Sequence, residues 1–288
     1  GIDFVGGRTY EVQFKQPVST EEVARNLESV LQERPQVKVF GESNQVKITT
    51  KYKIQEDDPN IDAEVDSLVY VGLKPMLAEN VTKEEFLSDY KLSSTKVGPT
   101  IALDIRREAV VAVILALIAI FLYIMIRFKN WRYSAGAVLG LAHDTLLVIG
   151  VYTLLWGIVP FTLEIDQAFI AAVLTVIGYS INDTVVVFDR VREYVGLFPN
   201  RKLSETFNYA INSTLSRTMA TSFSTLIVLI PMVIFGGDSI RGFVFSLTIG
   251  VIVGTYSSVF IASPLAYDLG KRRRERMQRE AALKAARK

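Results

Sequence analysis

Four ionisable residues sit inside long apolar runs: His143 and Asp144 in GLAHDTLL, Asp183 in GYSINDTVVVFDR, and Arg217 in STLSRTMATSFSTL. A charge at the middle of a bilayer costs about 2.5 to 3.5 kcal/mol on insertion scales, so such residues need a reason to be there. An acid beside a guanidinium at that depth can act as a proton relay or charge switch. The arginine favours the ionised carboxylate, protonation releases the arginine, and the helices carrying the pair repack. One proton crossing about 100 mV delivers roughly 2.3 kcal/mol, enough to bias such an element. The plainer alternative is a static ion pair that locks two helices, with serines and threonines as interhelical glue. It is disfavoured because apolar packing replaces a buried pair at little cost.

Polar residues recur around both groups at helical spacing. Thr175, Tyr179 and Asn182 accompany Asp183; Thr214, Thr218, Thr221, Ser222 and Thr225 accompany Arg217, after which the chain turns to LIVLIPMVIF. Such a stripe is expected to face a bundle interior or a hydrated cavity. Asp144 could extend the relay or could cap a neighbouring polar group. A lone histidine such as His143 is more often a hydrogen-bonded interior residue than a catalyst.

Half of the 288 residues are hydrophobic while 22% carry charge, so the charges must be segregated. Residues 1–107 hold a dense mixture of both signs, and 108–270 hold five segments of bilayer length, at 108–127, 134–157, 167–188, 214–236 and 242–268. Lys129, Arg132, Arg190, Arg192, Arg201 and Lys202 follow the odd-numbered segments, and a basic tail at 271–288 closes the chain, whereas the opposite loops offer only Arg241. The positive-inside rule then makes the tail cytoplasmic and the N-terminal domain extracytoplasmic. A basic tail next to a membrane span points to anionic lipid rather than nucleic acid. Asp183 falls five residues before the end of its segment and Arg217 four residues into the next, so both lie about 6 to 8 Å below one boundary and can pair. Asp144, ten residues into its segment, is expected near the midplane, about two turns from Asp183. The pairs Gly136/Gly140 and Gly250/Gly254 read as close-packing devices, and Pro231 as a kink.

In RTYEVQF, Tyr10, Val12 and Phe14 alternate with polar residues, the period of a half-buried strand. Ser19 and Glu22 form a capping box before a helix whose Val23, Leu27, Val30 and Leu31 share one face. QVKVF and QVKIT flank a turn at Gly41 to Asn44, and a second helical region spans roughly 62–90, broken near Pro75 and restarted by Thr82 and Glu85. KVGPTIAL reads as a last strand. This order predicts an α+β ferredoxin-like domain ahead of an α-helical polytopic membrane region. Without cysteine the chain has no disulfide or thiolate metal site. No nucleophile with its base, metal cluster or phosphate loop is evident, and Gly6-Gly7 reads as a turn. Catalytic, metal and cofactor-binding residues are therefore expected to be none, with protons as the coupling ion.

GIDFVGG, VGPTIA, HD, GYSINDTVVVFDRVRE and the run from TLSRTMATS to PMVIFGG, in that order, resemble SecF, the smaller half of the SecD/SecF export factor. The resemblance implies an RND-type superfamily member of the bacterial inner membrane. It would use the proton-motive force with SecD, separate or fused, beside the SecYEG channel, to complete preprotein translocation; YajC and YidC are further candidate partners. It carries the family's intramembrane acid and arginine onto Asp183 and Arg217. Because the chain opens Gly-Ile-Asp, a further span is expected upstream, making six. Two other readings stay open: an intramembrane aspartic protease built on Asp144 and Asp183, and a structural scaffold subunit. Against the protease, Arg217 would keep ionised an acid that has to share a proton.

Overall fold

The computed structural model describes residues 1–271 other than 57, 160 and 162. Apart from Lys271, the basic tail lies outside the described residues. Two compact units are present, one made of 1–110 with 155–169 and 237–242, the other of the remaining helical segments.

The first unit opens with a single helical turn, α1 (Ile2–Val5), and runs directly into β1 (Gly7–Gln13). Gly6 makes that junction at φ 74 and ψ 154, a combination that only glycine adopts without strain. Helix α2 (Thr20–Leu31) follows, its N-terminus capped by the Ser19 hydroxyl, which accepts from the Glu22 amide at 3.5 Å. Strands β2 (Gln36–Phe40) and β3 (Glu42–Thr50) come next, then α3 (Pro59–Leu73), a 3₁₀ turn at Lys74–Met76, the short α4 (Lys83–Glu85) with a π turn at Phe86–Tyr90, and β4 (Lys91–Val97). The sheet order is β2-β3-β1-β4, antiparallel throughout, which is the ferredoxin-like arrangement.

Tyr10, Val12 and Phe14 form one core with Val46 and Ile48 of β3, Val23, Leu27 and Leu31 of α2, and Val65, Val69 and Leu73 of α3. Helix α3 is also pinned electrostatically. The buried Arg8 of β1 donates to Asp62, which accepts Lys96 at 3.1 Å as well, and Lys91 meets Asp66 at 3.0 Å.

Two local expectations are corrected. The turn foreseen at Gly41 to Asn44 contracts to Gly41 at φ 76, because the Asn44 carbonyl and side chain both bond Phe14, each at 2.7 Å, and extend the ladder. KVGPTIAL is not a strand. Its first two residues end β4, and Pro99 opens a helix, since proline sacrifices no bonded amide at a first helical position.

Five helices long and apolar enough to cross a membrane are present among the described residues, each running past its apolar segment at one end or both. They are α5 (Pro99–Phe128), α6 (Trp131–Leu155), α7 (Gln167–Leu197), α8 (Leu203–Phe235), and α9 (Asp238–Ser257), which continues through a π turn at Ser258–Ala262 as far as Lys271. The extension of α7 carries Asp189, Arg190, Arg192 and Glu193, and that of α8 carries Glu205. Pro231 lies inside α8, which stays helical to Phe235.

In the second unit, close packing falls where the small-residue pairs stand. A Cβ on Gly250 or Gly254 would lie 2.0 Å from Val176 or 2.8 Å from Ser180, so α9 approaches α7 nearly backbone to side chain. A Cβ on Gly136 would sit 2.7 Å from the Ala262 carbonyl.

Gly250→Ala is expected to destabilise the purified protein by about 1 to 3 kcal/mol through overpacking. Val176→Ala in the same chain should recover part of that loss in a thermal-unfolding series, and equal melting temperatures for wild type and Gly250→Ala would refute the close approach. A second expectation concerns acid. The hydrogen bond from Arg8, reinforced by Lys96, holds the Asp62 carboxyl below its ordinary 3.8. That stabilisation is present above the unfolded pKa and lost as pH falls through the folded one. Asp62 is half exposed, so screening keeps it under about 1 kcal/mol. Asp62→Asn should flatten part of the stability loss below about pH 4, read from unfolding midpoints against pH; an unaltered acid limb would refute it.

Candidate functional site

Among the described residues, the acid most completely enclosed in the helical unit is Asp144, on α6 and fully buried. Hydrocarbon offers no donors, so every lone pair of a buried carboxylate must be served by protein. Its Oδ2 accepts the hydroxyl of Ser180 on α7 at 2.8 Å and that of Ser257 on α9 at 2.7 Å. Its Oδ1 lies 3.2 Å from Nδ1 of His143, which is partly exposed. One carboxylate thus ties three helices. The small side of α9 at Gly254 is what lets Ser180 and Ser257 reach the same oxygen.

Asp183, on α7 one turn beyond Ser180, has a different environment. It is 4% exposed, and its Oδ2 is buried without a hydrogen-bond partner. Arg217 of α8 acts on it electrostatically, yet no ion pair within 4 Å joins them, and Arg217 is exposed in this chain. The two residues are therefore near enough to feel one another and are not locked together.

The polar stripe divides into two parts. The Tyr179 hydroxyl meets Thr225 at 3.2 Å, and Ser222 meets Thr255 of α9 at 2.5 Å, so both cross between helices. Thr221 and Thr214 instead turn back onto the carbonyls of Arg217 and Ala210, at 2.6 and 3.0 Å. Asn182, Thr175 and Thr221 are exposed rather than sharing the buried face of Asp183, while Thr218 is buried with its hydroxyl unbonded. Helical spacing set their order along the chain, but which of several adjacent polar residues turns inward depends on the neighbouring helix.

Two site residues escaped sequence reasoning, Ser180 and Ser257. Each is a small hydroxyl in a run of apolar and polar residues, and only the packing of α7 against α9 singles it out; the nearness of Ser180 to Asp183 and of Ser257 to Gly254 was the available signal. The axial separation of the two acids is also corrected. The direct bond from Asp144 to Ser180 places Asp144 level with a residue three before Asp183, about one turn away rather than two. Among the described residues, Asp144 and Asp183 share no hydrogen bond, so no proton-sharing dyad is formed.

Residues 78–272 match the family described as "Protein export membrane protein SecD/SecF, C-terminal", and residues 1–18 match the "SecD/SecF GG Motif". The chain belongs to the SecD/SecF family. Within it, the protein translocase subunit SecF of Rhodothermus marinus is 41% identical over 273 residues, which is 94% of this chain and 83% of that one. The protein translocase subunit SecDF of Brucella abortus is 43% identical over 192 residues, covering 66% of this chain but 24% of its own length. A crystal structure of SecDF from Thermus thermophilus, described as a translocon-associated membrane protein, superposes with a TM-score of 0.76 at 32% identity. It covers 94% of this chain and 34% of that one, so in these SecDF relatives the chain corresponds to between about a quarter and about a third of the length. The stretch matched to the GG motif contains one glycine pair, Gly6-Gly7, which turns α1 into β1.

Thr218→Val removes a buried hydroxyl that has no partner, and such a group costs about 1 to 3 kcal/mol when left unbonded. The variant is expected to hold or raise the melting temperature of the purified protein. A clear fall would show that the hydroxyl is bonded.

Proposed function

We propose that this chain is a SecF-type subunit of the protein translocase, working with a SecD partner to complete preprotein translocation, with proton movement through Asp183 as its energy source. The observation that carries the reading is the state of Asp183: a buried carboxyl with an oxygen that no donor serves, and an arginine acting on it without being bound to it. A carboxyl so placed can take up a proton without first breaking a hydrogen bond or an ion pair, and a nearby guanidinium stabilises the carboxylate once the proton leaves. A structural ion pair would have closed the gap.

Family membership supports the SecD partnership, since several relatives carry both halves in one chain. The exposed Arg217 and Asn182 fit it too, because polar side chains on membrane helices need cover other than lipid. On this reading the protein is multi-pass in a bacterial inner membrane, its ferredoxin-like domain is extracytoplasmic, and its basic end is cytoplasmic. It is a transport component rather than an enzyme, its coupling ion is the proton, and SecYEG, with YajC and YidC, forms its surroundings. Helices α7 and α8 would repack as Asp183 takes up and releases its proton, and that repacking is the work step.

Asp183→Asn keeps the shape of the side chain and cannot carry the proton. In proteoliposomes holding the chain with its SecD partner, proton flux should fall on the order of tenfold or more, with a matching loss of export in cells. Wild-type flux and secretion in this variant would sink the coupling role and leave a scaffold.

A further inference from the structure

We propose that Asp144 is a positioning residue, which through Ser180 sets the rotation of α7 and so keeps Asp183 where it can exchange a proton. The inference rests on the reading of Asp183 as the proton carrier and assigns Asp144 a role distinct from it.

The two acids differ in how they are served. Asp144 accepts from Ser180 and Ser257 on one oxygen and meets His143 on the other, while Asp183 has a buried oxygen with no donor. Asp144 is tied to its neighbours by two serine hydroxyls on one oxygen, so turning α7 or α9 away from it breaks one of those bonds. Asp183 has no such tether on its buried oxygen, so a change of state there breaks no hydrogen bond. The labour is thus divided between an acid that fixes the helices and, on the reading above, one that carries the proton.

Geometry connects them. Ser180 and Asp183 are three residues apart on one helix, so their side chains point about 60° from each other one turn along. Fixing the azimuth of Ser180 fixes that of Asp183. Ser180 is held from two sides, by the carboxylate of α6 and by α9, where a Cβ on Gly254 would lie only 2.8 Å from the Ser180 Cβ. Ser257 supplies the second hydroxyl and lies directly before the π turn Ser258–Ala262, an irregularity that often marks functional positions in helices. Of the elements packed on Asp144, α6 itself contributes the titratable His143, and α7 and α9 contribute the uncharged Ser180 and Ser257; Arg217 is the charged group acting on Asp183.

The test uses the full chain with its SecD partner in proteoliposomes and follows proton flux against pH. Asp144→Asn keeps an amide oxygen that both serines can reach, so it should reduce flux far less than Asp183→Asn and leave the pH midpoint in place. Ser180→Ala with Ser257→Ala should shift that midpoint by about half a unit or more, because Asp183 would then sit in altered surroundings. Since the chain has no cysteine, Asp183→Cys can be labelled with a maleimide in the same membranes. Its labelling rate should change several-fold when the two serines are replaced, and Ser180→Ala alone should move it in the same direction. Flux in Asp144→Asn as low as in Asp183→Asn would overturn the proposal and make Asp144 a carrier. An unmoved midpoint with unmoved labelling would also overturn it, leaving the serines as packing only. Unimpaired flux in Asp183→Asn would instead remove the carrier reading on which the role depends, while the labelling of position 183, which needs no flux, still decides whether Asp144 and its serines hold α7.

Discussion

Two serine hydroxyls converging on one oxygen of a fully buried carboxylate are the interaction on which the helical unit depends. In water such a carboxylate would draw donors from solvent at no structural cost. Inside a bundle that crosses hydrocarbon it must be given them by neighbouring helices, and each donor accepted fixes one helix against another. Asp144 therefore acts as a three-way joint between α6, α7 and α9, and the glycines of α9 matter because they let the helices come close enough for the joint to close. The hydrophobic effect, which drives little association between helices already surrounded by lipid tails, would leave the rotation of each helix weakly specified.

Against that fixed joint, Asp183 is notable for what its surroundings withhold. Placed one turn from Ser180 on α7, it receives burial without full hydrogen bonding, and a positive charge that acts without an ion pair. A protein can keep such an underserved group only if the rest of the helix is firmly held, since otherwise α7 would turn to relieve it. The two acids are thus complementary: if Asp183 carries the proton as proposed, the joint at Asp144 is what holds α7 in place around it.

The soluble unit was the more legible half of the chain. The alternation at Tyr10, Val12 and Phe14, the capping box at Ser19 and the restart at Thr82 are local signals, and local signals suffice where a strand or helix buries one face on a neighbour. β4 was harder. Its residues LSSTK are largely exposed at the edge of the sheet, so no hydrophobic alternation announced it, and the apolar stretch that follows belongs to a helix begun by Pro99. Asn44, a turn former by composition, is a strand residue because Phe14 supplies it with a backbone partner from across the sheet.

For the membrane half, the sequence alone determined the number of apolar helices, the family, and the short roster of ionisable residues at issue, because the cost of polar groups in hydrocarbon makes each one conspicuous in a string of letters. It also marked the glycine pairs on which the helices close. What only the tertiary structure decided was which residues meet: that Asp144 joins Ser180 and Ser257, that Asp183 stands one turn from it, and that Arg217 stays out of contact. The physical reason is that a hydrogen bond between helices depends on rotation and depth to within about an ångström, and both are set by how several helices pack at once, which no run of neighbouring residues records.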